Sequence, residues 1–368
     1  MRLPALRLPA VRLHNDAVVL ALLRAAGPAG LSRAELAAGT GLTPQAVSKI
    51  AARLRAEGLA THAAARASTG GKPATALRLA PEAGHAVGVQ LDRDEVTAVV
   101  VDLAGVVVDS RRARHSLAAG AERVVGATVE AVRGVLGRVA GVRGGVAAPG
   151  EVANAGRAAA PVLGVGVACP GPLDHASGVL GAVTGAPALD GYPLRQVLSD
   201  ALGLPVALDK DTNAAALGLI DTARPGDGFA YLHLGTGLGA GLSLRGELYR
   251  GPRTGAGEFG HQVVQLGGPP CGCGRRGCLE ALCLAAVSAG DTTTAARLLG
   301  IGAANLTRLL DVDRVFLGGR TVLSTPNPFT SGVRHELGPT VPCEVAPGGD
   351  LAVARGAAEL VLRPLFAG

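Results

Sequence analysis

Residues 257–280 read Gly-Glu-Phe-Gly-His-Gln-Val-Val-Gln-Leu-Gly-Gly-Pro-Pro-Cys-Gly-Cys-Gly-Arg-Arg-Gly-Cys-Leu-Glu. This stretch sets four zinc-type ligands, His261, Cys271, Cys273 and Cys278, beside two carboxylates, Glu258 and Glu280, in a segment too rich in glycine for a helix. Three thiolates and one imidazole form a closed Cys3His set, the kind that holds structural zinc tetrahedrally with no position left for water. Gly272, Gly274 and Gly277 let the backbone fold tightly enough for the sulfurs to converge. Three reduced cysteines in a surface turn would give the same count, but loop cysteines at this spacing in a reducing compartment point to a metal.

Outward from that loop, 368 residues suit two or three domains. The chain is 48% hydrophobic but only 2% aromatic, so its core has to be built from Ala, Val and Leu. No apolar run approaches the ~18 residues of a membrane span. Residues 1–13 are interrupted by Arg2, Pro4, Arg7, Pro9 and Arg12, unlike a signal peptide. A cytoplasmic location without membrane contact is expected. Residues 1–80 hold 11 Lys+Arg against 3 Asp+Glu, a net +8, and the remainder 24 against 26, a net −2. The basic excess therefore sits in one segment, as nucleic-acid contact by the first domain or a solvated basic tail would require.

That segment carries helix punctuation. A helical pattern from His14 stops at Gly27-Pro28, and Ser32 with Glu35 forms a capping box. Thr43 caps the next helix, with Pro44 at its first position. Two short helices around a Gly-containing turn are a helix-turn-helix, with Ala46, Val47, Ile50 and Leu54 facing inward. Two strands flanking Gly70-Gly71-Lys72-Pro73 would supply a wing. Thr43, Gln45, Ser48, Lys49, Arg53 and Lys72 are the candidate DNA contacts. A three-helix module that binds protein is the competing reading.

Glu258-Phe259-Gly260-His261 followed by Cys271-Gly272-Cys273-Gly274-Arg275-Arg276-Gly277-Cys278-Leu279-Glu280 closely resembles the signature of the ROK family of repressors and sugar kinases, and the resemblance extends over almost the whole chain. It implies an actin-like, two-lobed α/β domain behind the winged helix-turn-helix, as in the repressor branch. The boundaries expected are 1–80 for DNA binding and 81–368 for sugar sensing. Lobe one would hold about 81–204 plus 350–368, and lobe two about 205–349. The resemblance also implies that Glu258, His261 and Glu280 contact sugar hydroxyls, that Asp211 stands at the kinases' catalytic-base position, and that structural Zn2+ props up the pocket.

Departures from the family pattern lie on the nucleotide side. The kinases carry Asp-x-Gly-Gly-Thr in the first hairpin, where this chain has Gln90, Asp92, Arg93 and Asp94. Two glycines that let the backbone approach phosphate have become charged residues, and carboxylates face the triphosphate position. Arg320 stands where small residues admit the purine, Lys210 replaces an Asn before Asp211, and Ala188 replaces an Asn that donates to sugar. The second phosphate loop, Gly235 to Gly241, is intact, while about two helices are missing after Glu280. The reading favoured is a non-enzymatic repressor, a homodimer or homotetramer, that binds operator DNA and is released by a sugar or sugar-phosphate effector. An ATP-dependent sugar kinase of glucokinase or N-acetylmannosamine kinase type, and a degenerate DNA-binding protein that senses nothing, are the alternatives.

Overall fold

A computed structural model of the chain describes residues 14–64, 76–139, 142–143, 160–223 and 226–367. Helix α1 (His14–Ala26) ends at Gly27-Pro28, and α2 (Arg33–Thr40) and α3 (Pro44–Ala56) start on Ser32 and Thr43. The Glu35 amide donates to the Ser32 hydroxyl at 3.2 Å and the Ser32 amide to the Glu35 carboxylate at 2.6 Å, closing the expected capping box. Val47, Ile50, Ala51 and Leu54 of α3 are buried with Leu20, Leu23 and Leu36, while Ala46 is only half-buried. Strands β1 (Ala60–His62) and β2 (Leu77–Leu79) pair antiparallel and Leu31 bridges to Leu77, which makes the helix-turn-helix a winged one. The tip expected at Gly70 to Pro73, with Lys72, lies outside the described residues.

Beyond the turn at Pro81–Ala83 come β3 (His85–Leu91), β4 (Glu95–Asp102), β5 (Val107–Arg114), α4 (Ala121–Leu136), β6 (Val142–Arg143) and β7 (Ala160–Cys169). A small hairpin, β8 (Leu173–Asp174) and β9 (Val179–Leu180), then leads to α5 (Leu194–Leu202), β10 (Val206–Lys210) and α6 (Asp211–Leu219). The first sheet has the order β10-β7-β3-β4-β5, with β7 parallel to both β3 and β10. One expectation changes here. Strand β10, expected to open lobe two, is an edge of this first sheet. Arg111 to Arg114 belong to β5: Ala and Arg favour helices, but pairing with β4 overrides that propensity, and Arg112 and Arg114 point to solvent.

The second sheet comprises β11 (Phe229–Leu234), β12 (Leu238–Leu244), β13 (Glu247–Tyr249), β14 (Arg314–Gly318) and β15 (Cys343–Val345), in the order β13-β12-β11-β14-β15. Helices α7 (Leu279–Ser288), α8 (Thr292–Leu310), α9 (Arg320–Ser324) and α10 (Pro326–Leu337) belong to this lobe. The closing helix α11 (Ala352–Leu362) returns to the first lobe, as expected. It lies directly on the first sheet because a Cβ at Gly166 would overlap the Ala357 carbonyl. The same helix reaches the winged helix: Arg24 of α1 donates to both carboxylate oxygens of buried Glu359, one at 3.0 Å, and stacks on the Phe366 ring at 4.6 Å. One apolar cluster runs from Leu20 and Leu23 through Leu79 to Leu103 and Leu362, so the winged helix is packed against the body.

Candidate functional site

Strands β7 and β10 are parallel, with Cys169 opposite Lys210, so their carboxyl ends deliver Pro170-Gly171 and Asp211 to the same edge, where ligands gather in open α/β sheets. The facing wall comes from the loop between β11 and β12 and from Gly257, Glu258, His261 and Glu280. Together they line a cavity of about 110 Å3, with Asp92, Arg93, Thr184, Lys210, His233 and Thr236. The four expected sugar-site residues, Asp211, Glu258, His261 and Glu280, are thus brought to one pocket.

Each carboxylate there has a distinct setting. Asp211 keeps part of its surface open to the pocket but is otherwise enclosed by protein; burial pushes its carboxyl above the usual aspartate range, with the His233 imidazole and the Thr212 amide opposing. Lys210, buried beneath the Gly171 turn, donates from Nζ to Glu258 Oε1 at 3.0 Å and to the Ala256 carbonyl at 2.6 Å. Glu280 turns one oxygen inward to accept from the Leu238 amide at 2.8 Å. His233, which sequence reasoning did not single out, shares a hydrogen bond of 3.0 Å between its Nδ1 and the Tyr231 hydroxyl. Its alternation along β11 could have placed it on the pocket side.

On the side that the resemblance gives to nucleotide, the two expected departures turn out to be one structure. Arg320 donates to Asp92 Oδ2 at 2.6 Å and to both carboxylate oxygens of Asp94, one at 2.9 Å. Asp92 also accepts from the Thr236 hydroxyl at 3.1 Å. Burial pushes Asp92 up, but Arg320 and the Arg93 amide outweigh it and hold the carboxyl below the usual range. Asp94 is lowered mainly by Arg320. The two carboxylates expected to face a triphosphate therefore face a guanidinium of the protein itself.

In the cysteine loop, the ligand atoms of His261, Cys271, Cys273 and Cys278 lie within 4.8 Å of one another. Cys271 Sγ is 3.6 Å from His261 Nδ1 and Cys273 Sγ is 3.7 Å from Cys278 Sγ. A tetrahedron with ~2.3 Å metal–sulfur bonds has edges of roughly 3.5–3.8 Å, so these two separations match a cluster that could hold a metal ion. Gly277, at φ 71°, makes the convergence possible, because a Cβ there would overlap the Gln265 carbonyl. The Arg275 amide lowers the Cys273 thiol to about 7, whereas burial and the neighbouring sulfurs push the Cys278 thiol up.

On the winged helix, Gln45 and Lys49 are exposed along α3, and Ser48 is half-buried. Thr43 uses its hydroxyl to accept the Ala46 amide at 3.2 Å as the helix cap. Arg53 donates to both carboxylate oxygens of Asp16 on α1, through Nε at 3.0 Å, and so braces two helices while 38% of its side chain stays exposed. Asp16 is 1% exposed, which makes that brace necessary. Away from all these residues a surface cleft of about 570 Å3 runs along β15, but its arginines, Arg314 and Arg334, are engaged by Glu344 and the Cys343 carbonyl.

A two-lobed α/β domain with its cleft between the sheets, carried behind a winged helix, defines the class of protein. The ROK family matches residues 150–289 and the MarR family residues 14–68. The xylose repressor of Bacillus subtilis (strain 168) is 26% identical over 252 residues, covering 68% of this chain and 61% of the repressor; the chain thus spans about three fifths of the xylose repressors it matches. The crystal structure of a ROK hexokinase from Thermus thermophilus is 29% identical, with a TM-score of 0.60, covering 77% of this chain and all of that one. A ROK family transcriptional regulator, a homologue of the E. coli MLC protein, shares the fold over 96% of this chain and 98% of its own, with a TM-score of 0.72 at 19% identity. The chain carries a ROK family domain behind an amino-terminal MarR-type winged-helix domain.

Proposed function

We propose that the protein is a sugar-responsive transcriptional repressor that binds operator DNA through α3 and is released by a sugar in the interlobe pocket, without phosphorylating it. The observation that carries this reading is the asymmetry of the cleft: the four sugar-side residues converge, while the nucleotide side is closed by Arg320 on Asp92 and Asp94. Phosphoryl transfer depends almost wholly on positioning and charge neutralisation, and a crevice already filled by a paired guanidinium offers neither. Similarity to xylose repressors supports the same reading and makes D-xylose the first sugar to try.

In this reading Lys210 fixes the Glu258 carboxylate, which with Asp211 and Glu280 receives sugar hydroxyls. His261 faces the cysteines with Nδ1 and keeps Nε2 for the ligand. Zinc on His261, Cys271, Cys273 and Cys278 would cross-link the loop, a purely structural contribution. Gln45 and Lys49 are the base-reading candidates, with Thr43, Ser48, Arg53 and Lys72 as further candidate contacts, and two copies of the chain would meet an inverted repeat. The kinase alternative rests on Asp211 and the similarity to the Thermus thermophilus hexokinase. The function is tested by titrating sugars into the protein–DNA complex. The metal loop is tested by elemental analysis of protein prepared without chelator: about one zinc per chain is expected, lost in Cys273→Ser, and metal-free folded protein would refute the loop assignment.

A further inference from the structure

Three groups of this cleft that could receive a phosphate are already bonded to the protein's own carboxylates. Arg320 holds Asp92 and Asp94, the Thr236 hydroxyl donates to Asp92, and the Leu238 amide donates to Glu280. Arg320 and Thr236 belong to the second lobe, at the start of α9 and in the β11–β12 loop, whereas Asp92 and Asp94 sit in the β3–β4 turn of the first. The bonds of Arg320 and Thr236 therefore run from lobe to lobe. The cavity left beside them, about 110 Å3, is small against the ~300–1,000 Å3 of ordinary ligand pockets.

We propose that Arg320, Asp92 and Asp94 form a latch that fills the nucleotide crevice from within, excludes nucleotide, and holds the lobes together when no ligand is bound. Asp92, with a side chain 16% exposed, is its anchor, and Arg320 and Asp94, at 46% and 61%, are its solvent-accessible half. An ion-pair network of this exposure is modest in strength and screened by salt, which suits a fastening that has to release. A sugar larger than the present cavity enters only when the lobes part, so the latch sets how readily the pocket opens.

The test uses the full chain without any ligand, so it stands or falls apart from the sugar reading. Hydrogen exchange is followed in peptides covering residues 90–96 and 233–240, in wild type, Arg320→Ala and Arg320→Gln, the last keeping side-chain bulk without charge. At about 0.05 M salt both variants should exchange roughly five- to tenfold faster than wild type on both sides of the cleft. At about 1 M salt, where the screening length is ~3 Å, the difference should vanish. Equal exchange at low salt would overturn the latch. So would an acceleration undiminished at high salt, which marks lost packing instead of a lost ion pair.

Discussion

Asp211 is the residue whose chemistry depends most on its surroundings. Burial raises its folded-state pKa above the unfolded value. Its favourable contribution to stability is therefore complete below the ordinary aspartate range and is lost as pH rises through the raised folded value. At pH 7–8 the ionised carboxyl is a cost, and Asp211→Asn, which keeps the shape without the charge, should melt at a higher temperature than wild type. The gain should shrink toward zero as pH falls below about 4. A variant less stable than wild type at pH 8 would contradict this assignment. That Glu258, His261 and Glu280 belong together was legible in the sequence because they share one long motif, whereas Asp211 was placed by the family resemblance alone, since an Asp opening an Ala-rich helix also reads as a cap. The partnership of Arg320 with Asp92 and Asp94 was not legible: each departure was visible alone, but the residues are 226 and more positions apart and only the closed cleft joins them. Lys210 likewise showed as a substitution, while its role in bracing Glu258 needed the fold of the Gly171 turn.

Elements with strong local signals were read directly. Helices α2 and α3 begin on Ser32 and Thr43, where capping chemistry dictates, and β3 and β4 follow their alternating Val-rich runs. The start of β5 was read with them, but its extension through Arg111 to Arg114 was not, because arginines and alanines favour a helix until β4 offers them a ladder, and β10 was misplaced because sequence order says nothing of sheet membership. The junction between α1 and α11 was invisible for a similar reason. Arg24 and Glu359 lie near opposite ends of the chain and are both almost buried. Removing one member of such a pair strands the other charge. Arg24→Ala should cost about 3–5 kcal/mol in denaturant unfolding. Arg24→Met with Glu359→Met should regain much of it, since an apolar pair of similar volume leaves no buried charge. Equal stability of Arg24→Ala and wild type would mean that apolar packing alone fastens the winged helix.

At the scale of the whole molecule, α11 touches both functional ends. It lies on α6, whose first residue is Asp211, with Gly356 against the Ala214 backbone, and through Glu359 it grips α1 of the winged helix. A ligand shifts an equilibrium only by its differential affinity for two states, so under the proposed function sugar in the pocket would have to favour a lobe arrangement that suits DNA less well. Helix α11, in contact with both α6 and α1, is the piece through which such a preference would reach the winged helix. The direct measurement is fluorescence anisotropy of the full chain on labelled DNA selected from a random inverted-repeat pool, titrated with D-xylose and a panel of pentoses and hexoses, each with and without ATP and Mg2+. The expected result is release of DNA by at least one free sugar, along curves that superimpose with and without nucleotide, and no sugar phosphate formed. DNA binding indifferent to every sugar, or release that requires ATP and yields phosphorylated sugar, would contradict it.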